Sequence, residues 1–159
     1  MRIKGLIDED FVNYRKPSMY IACPSCSWKC ERECGMRVCQ NSALAHSPDI
    51  YIDEEKLIER YINNPITSAI VFGGLEPIDS FADIARFLYV LRNDFHCNDD
   101  VVIYTGYRED ELTREINILK QYENVIMKFG RFVPNQPASY DEVLGVYLAS
   151  DNQYGRYIS

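Results

Sequence analysis

Five cysteines, Cys23, Cys26, Cys30, Cys34 and Cys39, crowd into residues 23–41, CPSCSWKCERECGMRVCQN. Thiols at that density can pair as disulfides, hold zinc, or hold an iron–sulfur cluster. Zinc commonly takes four cysteines from two C-x2–4-C pairs, and a cluster normally takes one thiolate per iron. Two patterns can be drawn here. Cys23-x2-Cys26 with Cys30, Cys34 and Cys39 supplies enough thiols for a four-cysteine zinc site. Cys26-x3-Cys30, then Cys39 followed by Gln40-Asn41, is the other pattern. Spacing alone does not choose between them.

The rest of the chain narrows the choice. It has 159 residues, 47% hydrophobic and 26% charged, the composition of a soluble globular domain long enough to bury a core without staples. The formal net charge of −7, with no basic block, argues against a nucleic-acid binder working through phosphates. Met1-Arg2-Ile3-Lys4 runs into Asp8-Glu9-Asp10 with no apolar signal-peptide region. No apolar run approaches the ~20 residues of a membrane helix. The expected compartment is therefore the cytoplasm, where thiols stay reduced. Disulfides are disfavoured there, and clustered cysteines read as metal ligands.

The elements that must position these thiols alternate between strand and helix. Residues 18–22, SMYIA, read as a strand ending at the first cysteine. Residues 54–63 carry Leu57, Ile58, Tyr61 and Ile62 at helical spacing, with Asp53 as N-cap and Pro65 as the stop. Residues 68–72, SAIVF, suit a strand buried on both faces. Residues 79–92 place Phe81, Ile84, Phe87, Leu88 and Leu91 on one helical stripe. Strands follow at 101–105 (VVIYT) and 125–129 (VIMKF), with a helix at 109–121 between them. Residues 144–149, LGVYLA, suggest a fifth strand. Short connections between alternating strands and helices imply a parallel sheet. Successive strands end at Gly73, Gly106 and Gly130, and the cysteines follow the end of the first strand. All four loops thus point to the C-terminal rim, where such folds bind ligands. A full (β/α)8 barrel needs about 250 residues. The expected fold is therefore a single α/β domain over 1–159, a partial, open (β/α) barrel of roughly four to five βα units with a mostly parallel sheet.

Four motifs in order carry a resemblance. They are Cys26, Cys30 and Cys39-Gln40-Asn41; Gly73-Gly74-Leu75-Glu76-Pro77; Tyr104-Thr105-Gly106-Tyr107; and Asn152-Gln153-Tyr154-Gly155-Arg156. Together they resemble the anaerobic ribonucleotide reductase activating proteins, glycyl radical enzyme activases of the radical S-adenosylmethionine (SAM) superfamily. That family carries C-x3-C-x2-C followed by one residue and Asn, a G-G-E-P-like motif, a Y-T-G-Y motif and an N-Q-R-like segment. Two departures stand out. Cys34 misses the third ligand slot by one residue, whereas Cys39 carries the trailing Asn41. The register taken is therefore Cys26-x3-Cys30-x8-Cys39, with ERECGM or its neighbours looping out and Cys23 and Cys34 as extras. Leu75 is inserted in the glycine motif, which shifts its register.

The resemblance implies a [4Fe–4S] cluster on Cys26, Cys30 and Cys39, with SAM on the iron that lacks a protein ligand. It implies a SAM site from Gly73, Gly74, Glu76, Pro77, Tyr104, Thr105 and Asn41, and no catalytic residue beyond the cluster. It implies reductive SAM cleavage to a 5′-deoxyadenosyl radical. The implied partners are a glycyl radical enzyme similar to anaerobic ribonucleotide reductase and a flavodoxin- or ferredoxin-type electron donor. An open barrel cannot enclose a large substrate alone, which favours a macromolecular one.

Several residues have a plainer reading beside the functional one. Glu76 reads equally as a solvated charge at a helix start. Tyr104 suits strand packing, Thr105 a cap, and Asn41 a helix cap, which is its preferred reading. Trp28 reads as a shield against water, and Cys97 as a free thiol. Two alternatives stay open: a four-cysteine zinc or Fe–S module with Cys23 or Cys34 as fourth ligand, used for structure or electron transfer, and a radical SAM enzyme with another substrate.

Overall fold

Alternation within four apolar strands decides how this chain folds. In the computed structural model, which describes residues 1–159, the chain runs β1 (Arg2–Ile3), β2 (Gly5–Asp10), β3 (Ser18–Cys23), α1 (Lys29–Cys34), α2 (Ser42–Ala45), β4 (Ile50–Tyr51), α3 (Glu54–Ile62) and β5 (Ala69–Gly74). A 3-10 turn (Pro77–Ser80) leads into α4 (Phe81–Asn93), followed by β6 (Asp100–Tyr104), a second 3-10 turn (Glu109–Glu111), α5 (Thr113–Leu119) and β7 (Val125–Phe129). The chain closes with β8 (Ser139–Asp141), β9 (Val146–Leu148) and β10 (Tyr154–Tyr157).

The central sheet has the order β10-β7-β6-β5-β3-β2. Strands β3, β5, β6 and β7 are mutually parallel, and β2 and β10 close the two edges antiparallel. This is the expected α/β architecture with a mostly parallel sheet. The sheet is open, and its four parallel strands stand at the low end of the expected count.

Side chains alternate across a strand, so each parallel strand feeds both faces. One face carries Met19, Ile21, Ile70, Phe72, Val101, Ile103, Val125, Met127 and Phe129 into the main core with Leu57, Ile58, Ile84, Phe87, Leu88 and Leu91. Helices α3, α4 and α5 cover that face. The α4 stripe docks directly, with Phe87 edge-on to Phe72 at 5.2 Å between ring centres. Asp53 caps α3 by accepting from the Glu55 and Lys56 amides, a contact typically worth ~1 kcal/mol. The opposite face, Ala69, Val71, Val102 and Ile126, packs against Tyr14, Leu144 and Leu148 and carries no helix.

Three expectations are corrected. Residues 144–149 do not add a fifth strand to the sheet. Only Val146–Leu148 is extended, and it pairs with β8 in a separate hairpin. The edge position goes to β10, which binds β7 from Tyr154↔Phe129 to Tyr157↔Ile126. The stretch after Cys30 is not a loop throughout. Glu31 to Cys34 continue α1, which ends where Gly35 takes the left-handed conformation at φ 69°, open to glycine at no steric cost. Finally, Asn41 stands at the start of α2 but makes no side-chain cap.

Candidate metal centre

The C-terminal ends of β3, β5, β6 and β7 open into a cavity of about 380 Å3 on the helix-free side. Cys26, Cys30 and Cys39 line it, together with Gly74, Glu76, Gly106 and Lys128. Cys23 and Cys34 do not. Strand alternation removes Cys23, which follows Met19 and Ile21 into the helix-side core and is fully buried. Cys34 lies at the far end of α1, its thiol turned to the Glu31 and Met36 carbonyls. Cys97 is a free thiol against the main core.

Backbone bonds tie the cysteine loop to the two neighbouring strand ends. The Glu76 amide donates to the Ser25 carbonyl at 2.7 Å. Asp79 accepts from the Ser27 amide and from the Tyr107 hydroxyl, the latter at 2.7 Å. Trp28 lines the cavity and sits in the left-handed region, φ 58°. This is an uncommon conformation for a bulky residue. It directs the Trp28 amide to the Cys26 sulfur at 3.2 Å.

Helix α1, which carries Cys30, is strapped down by charge. Arg131 forms a bidentate pair with Glu111 at 2.7 and 2.8 Å and reaches Glu33 of α1 at 3.0 Å. Lys29 of α1 lies 3.9 Å above the Tyr107 ring and 3.3 Å from Glu111. Arg131 holds the Glu111 carboxyl down at about 2. The Glu31 carboxylate accepts from the Cys39 amide at 3.3 Å and so joins α1 to the third cysteine.

Glu76 is buried, not the solvated charge that was one reading of it. One carboxylate oxygen accepts from the Thr105 hydroxyl at 2.7 Å and the Ile78 amide at 3.1 Å; the other accepts from the Gly106 amide at 2.8 Å. Burial pushes its pKa up to about 7 against those three donors. Thr105 thus serves to orient Glu76, and it also accepts from the Tyr107 amide at 3.0 Å. Tyr104 lines the cavity and donates to the Asn13 carbonyl at 2.6 Å. Asn41, instead of capping α2, donates to the Gly74 carbonyl at 2.7 Å. Gly73 and Pro77 lie outside the lining: Gly73 packs on Tyr20, and Pro77 is buried at the start of the first 3-10 turn.

The lining includes residues that pattern reading passed over. Lys128 is 7% exposed and donates to the Gly130 carbonyl at 2.9 Å. A lone lysine inside the apolar run VIMKF was its signal. Gln153 donates to the same carbonyl at 3.1 Å. Val12, Asn13, Val146 and Tyr147 form the outer wall, and nothing local in the sequence marks them.

A [4Fe–4S] cluster can be tested against these residues. Three thiols face one cavity. A Cβ at Gly106 would stand 3.4 Å from the Cys30 sulfur and 3.3 Å from Glu76, so glycine leaves that sulfur clear. Lys128 and Arg131 favour the Cys30 thiolate, although burial raises the thiol overall. Burial likewise pushes Cys26 up to about 11, against the Trp28 amide. Three cysteine thiols around one cavity are the donor type and number that hold a [4Fe–4S] cluster with one iron left without a protein ligand. The donor set fits the cluster. Compared with known families, residues 18–153 match the model described as a 4Fe-4S single cluster domain. No curated protein and no solved structure matches the chain.

Proposed function

The chain belongs to the 4Fe-4S single cluster domain family, and from that premise we propose that it is a radical SAM activase: Cys26, Cys30 and Cys39 hold the cluster, and the product is a glycyl radical on a partner enzyme. The observation that carries this reading is the sorting of the cysteines. Three of the six line the cavity, and those three are the set that leaves one iron of four without a protein ligand. When bound, the cluster supplies one electron that cleaves the SAM sulfonium to methionine and a 5′-deoxyadenosyl radical, which takes a hydrogen atom from the target glycine.

The protein's own residues bind, orient and shield. Glu76 fixes the turn after β5 against the end of β6 through Thr105 and Gly106. Asn41 locks the Gly74 carbonyl from the cysteine side. The SAM aminocarboxylate and nucleoside are assigned to this rim, between Gly74 and Tyr104. Trp28 covers the Cys26 side and limits water, which influences a cluster's potential. The outer wall at Val12 and Tyr147 is exposed, and the target loop of a glycyl radical enzyme is assigned to that opening. A flavodoxin- or ferredoxin-type protein is the proposed electron donor.

The test is anaerobic reconstitution with iron and sulfide, then dithionite and SAM, with 5′-deoxyadenosine quantified. Addition of an anaerobic ribonucleotide reductase from the same genome should give a glycyl radical EPR doublet on that partner. A fully loaded cluster that yields no 5′-deoxyadenosine overturns the SAM reading. Cleavage without a glycyl radical overturns the activase reading alone.

A further inference from the structure

We propose that Lys128 is a buried counter-charge for the cluster, placed on the Cys30 side of the cavity, and that it raises the cluster's reduction potential. The inference rests on the cluster part of the reading above and needs neither SAM nor the partner.

Lys128 is the charged residue of a strand whose other members, Val125, Ile126, Met127 and Phe129, are core. Strand parity sets it on the helix-free face with Ile126, and its side chain enters the cavity. Burying an ammonium is unfavourable unless something compensates it. The protein supplies little. The one acceptor that Lys128 has is the Gly130 carbonyl, and that carbonyl also takes the Gln153 amide. The backbone therefore stays satisfied without the lysine. The titratable side chains that line the same cavity include Glu76 and the Cys30 thiol. Glu76 is already committed to three donors. Arg131, the other cation near Cys30, is committed to Glu111 and Glu33. Lys128 is left as the one basic side chain in the lining that holds Cys26, Cys30 and Cys39, with no carboxylate bonded to it.

Reduction adds one electron to the cluster and forms or breaks no bond. The reduced state carries one more negative charge, and a fixed cation in a low-dielectric site stabilises it. Lys128→Met, similar in length and uncharged, removes that stabilisation. Lys128→Gln is the second variant, and exposed Lys56→Met on α3 is the control.

The experiment is a dye-mediated redox titration of the reconstituted clusters without SAM, followed by EPR of the reduced state. At the potential that half-reduces the wild type, the reduced-to-oxidised ratio in K128M and K128Q should fall at least tenfold, which is 59 mV for a one-electron couple. K56M should match the wild type. The metal-free K128M chain should keep or gain in urea midpoint, because a buried charge is removed and Gly130 keeps Gln153. A fall of less than tenfold in both variants overturns the assignment, and a lowered urea midpoint would then mark Lys128 as structural. A wild-type chain that takes up no iron and sulfide overturns the cluster reading, and this assignment with it.

Discussion

Replacing Glu76 by glutamine should remove a pH-dependent loss of stability, so that the metal-free variant gains on the wild type between pH 4.5 and pH 8. The carboxyl is 8% exposed, and burial moves its pKa from 4.5 to about 7. The folded state therefore holds this proton more tightly than the unfolded chain does. The sign follows from linkage: stability falls as pH rises wherever the native state binds more protons. The loss is absent below about 4.5, grows between 4.5 and 7, and is complete above 7. A shift of that size corresponds to about 3 kcal/mol. Glutamine carries no charge, so that slope disappears in the variant. The low-pH comparison is close to isosteric. A protonated carboxyl sets one O–H donor among the Thr105, Ile78 and Gly106 donors and an amide sets two N–H donors without an acceptor, so the amide adds an offset that is the same at every pH. Urea denaturation by far-UV circular dichroism, under reducing conditions at pH 4.5, 6 and 8, gives the difference between the chains at each pH. The gap should open by about 3 kcal/mol in favour of Gln. A gap independent of pH would refute the reasoning, since Glu76 would then titrate alike in both states.

Other expectations concern the cysteines and the rim. Cys26→Ala, Cys30→Ala and Cys39→Ala should each lose bound iron and sulfide after reconstitution, while Cys23→Ala and Cys34→Ala keep them; loss in Cys34→Ala with retention in Cys39→Ala would move the third ligand to Cys34. Because burial raises the Cys26 and Cys30 thiols, cluster assembly must expel protons, so iron uptake at fixed iron and sulfide should rise from pH 7 to 8.5. Uptake that is flat or falling over that range, followed by absorbance, would contradict this. Gly74→Ala should destabilise the fold by roughly 1–3 kcal/mol. It combines φ 81° with a Cβ 2.9 Å from the Ala22 backbone, and an unchanged urea midpoint would show that the turn relaxes freely.

Local pattern determined much of this protein. Unbroken apolar runs specify strands buried on both faces, and VIMKF is a strand over its full length. The i, i+3, i+4, i+7 stripe of α4 marks its buried side as Ile84, Phe87, Leu88 and Leu91. Asp53 caps α3 because a short acceptor before a helical run satisfies its free amides. The C-terminal rim also followed from topology, since parallel strands put all their loops at one end.

What the sequence left open depended on partners far away along the chain. Whether residues 144–149 join the sheet is settled by competition for the edge of β7, and β10 holds that edge. The role of Glu76 needed Thr105 and Gly106, 29 and 30 residues on. Asn41 gave up its cap for a carbonyl 33 residues away. The cysteine sorting combines both levels. Period-two alternation turns Cys23 inward once β3 is known to reach it. The separation of Cys34 from Cys39 requires the path of α1, whose Lys29 and Glu33 are held by Glu111 and Arg131 from two other segments of the chain. A chain's local preferences choose helix or strand, but which side chains meet at a strand end is decided only when the distant elements pack.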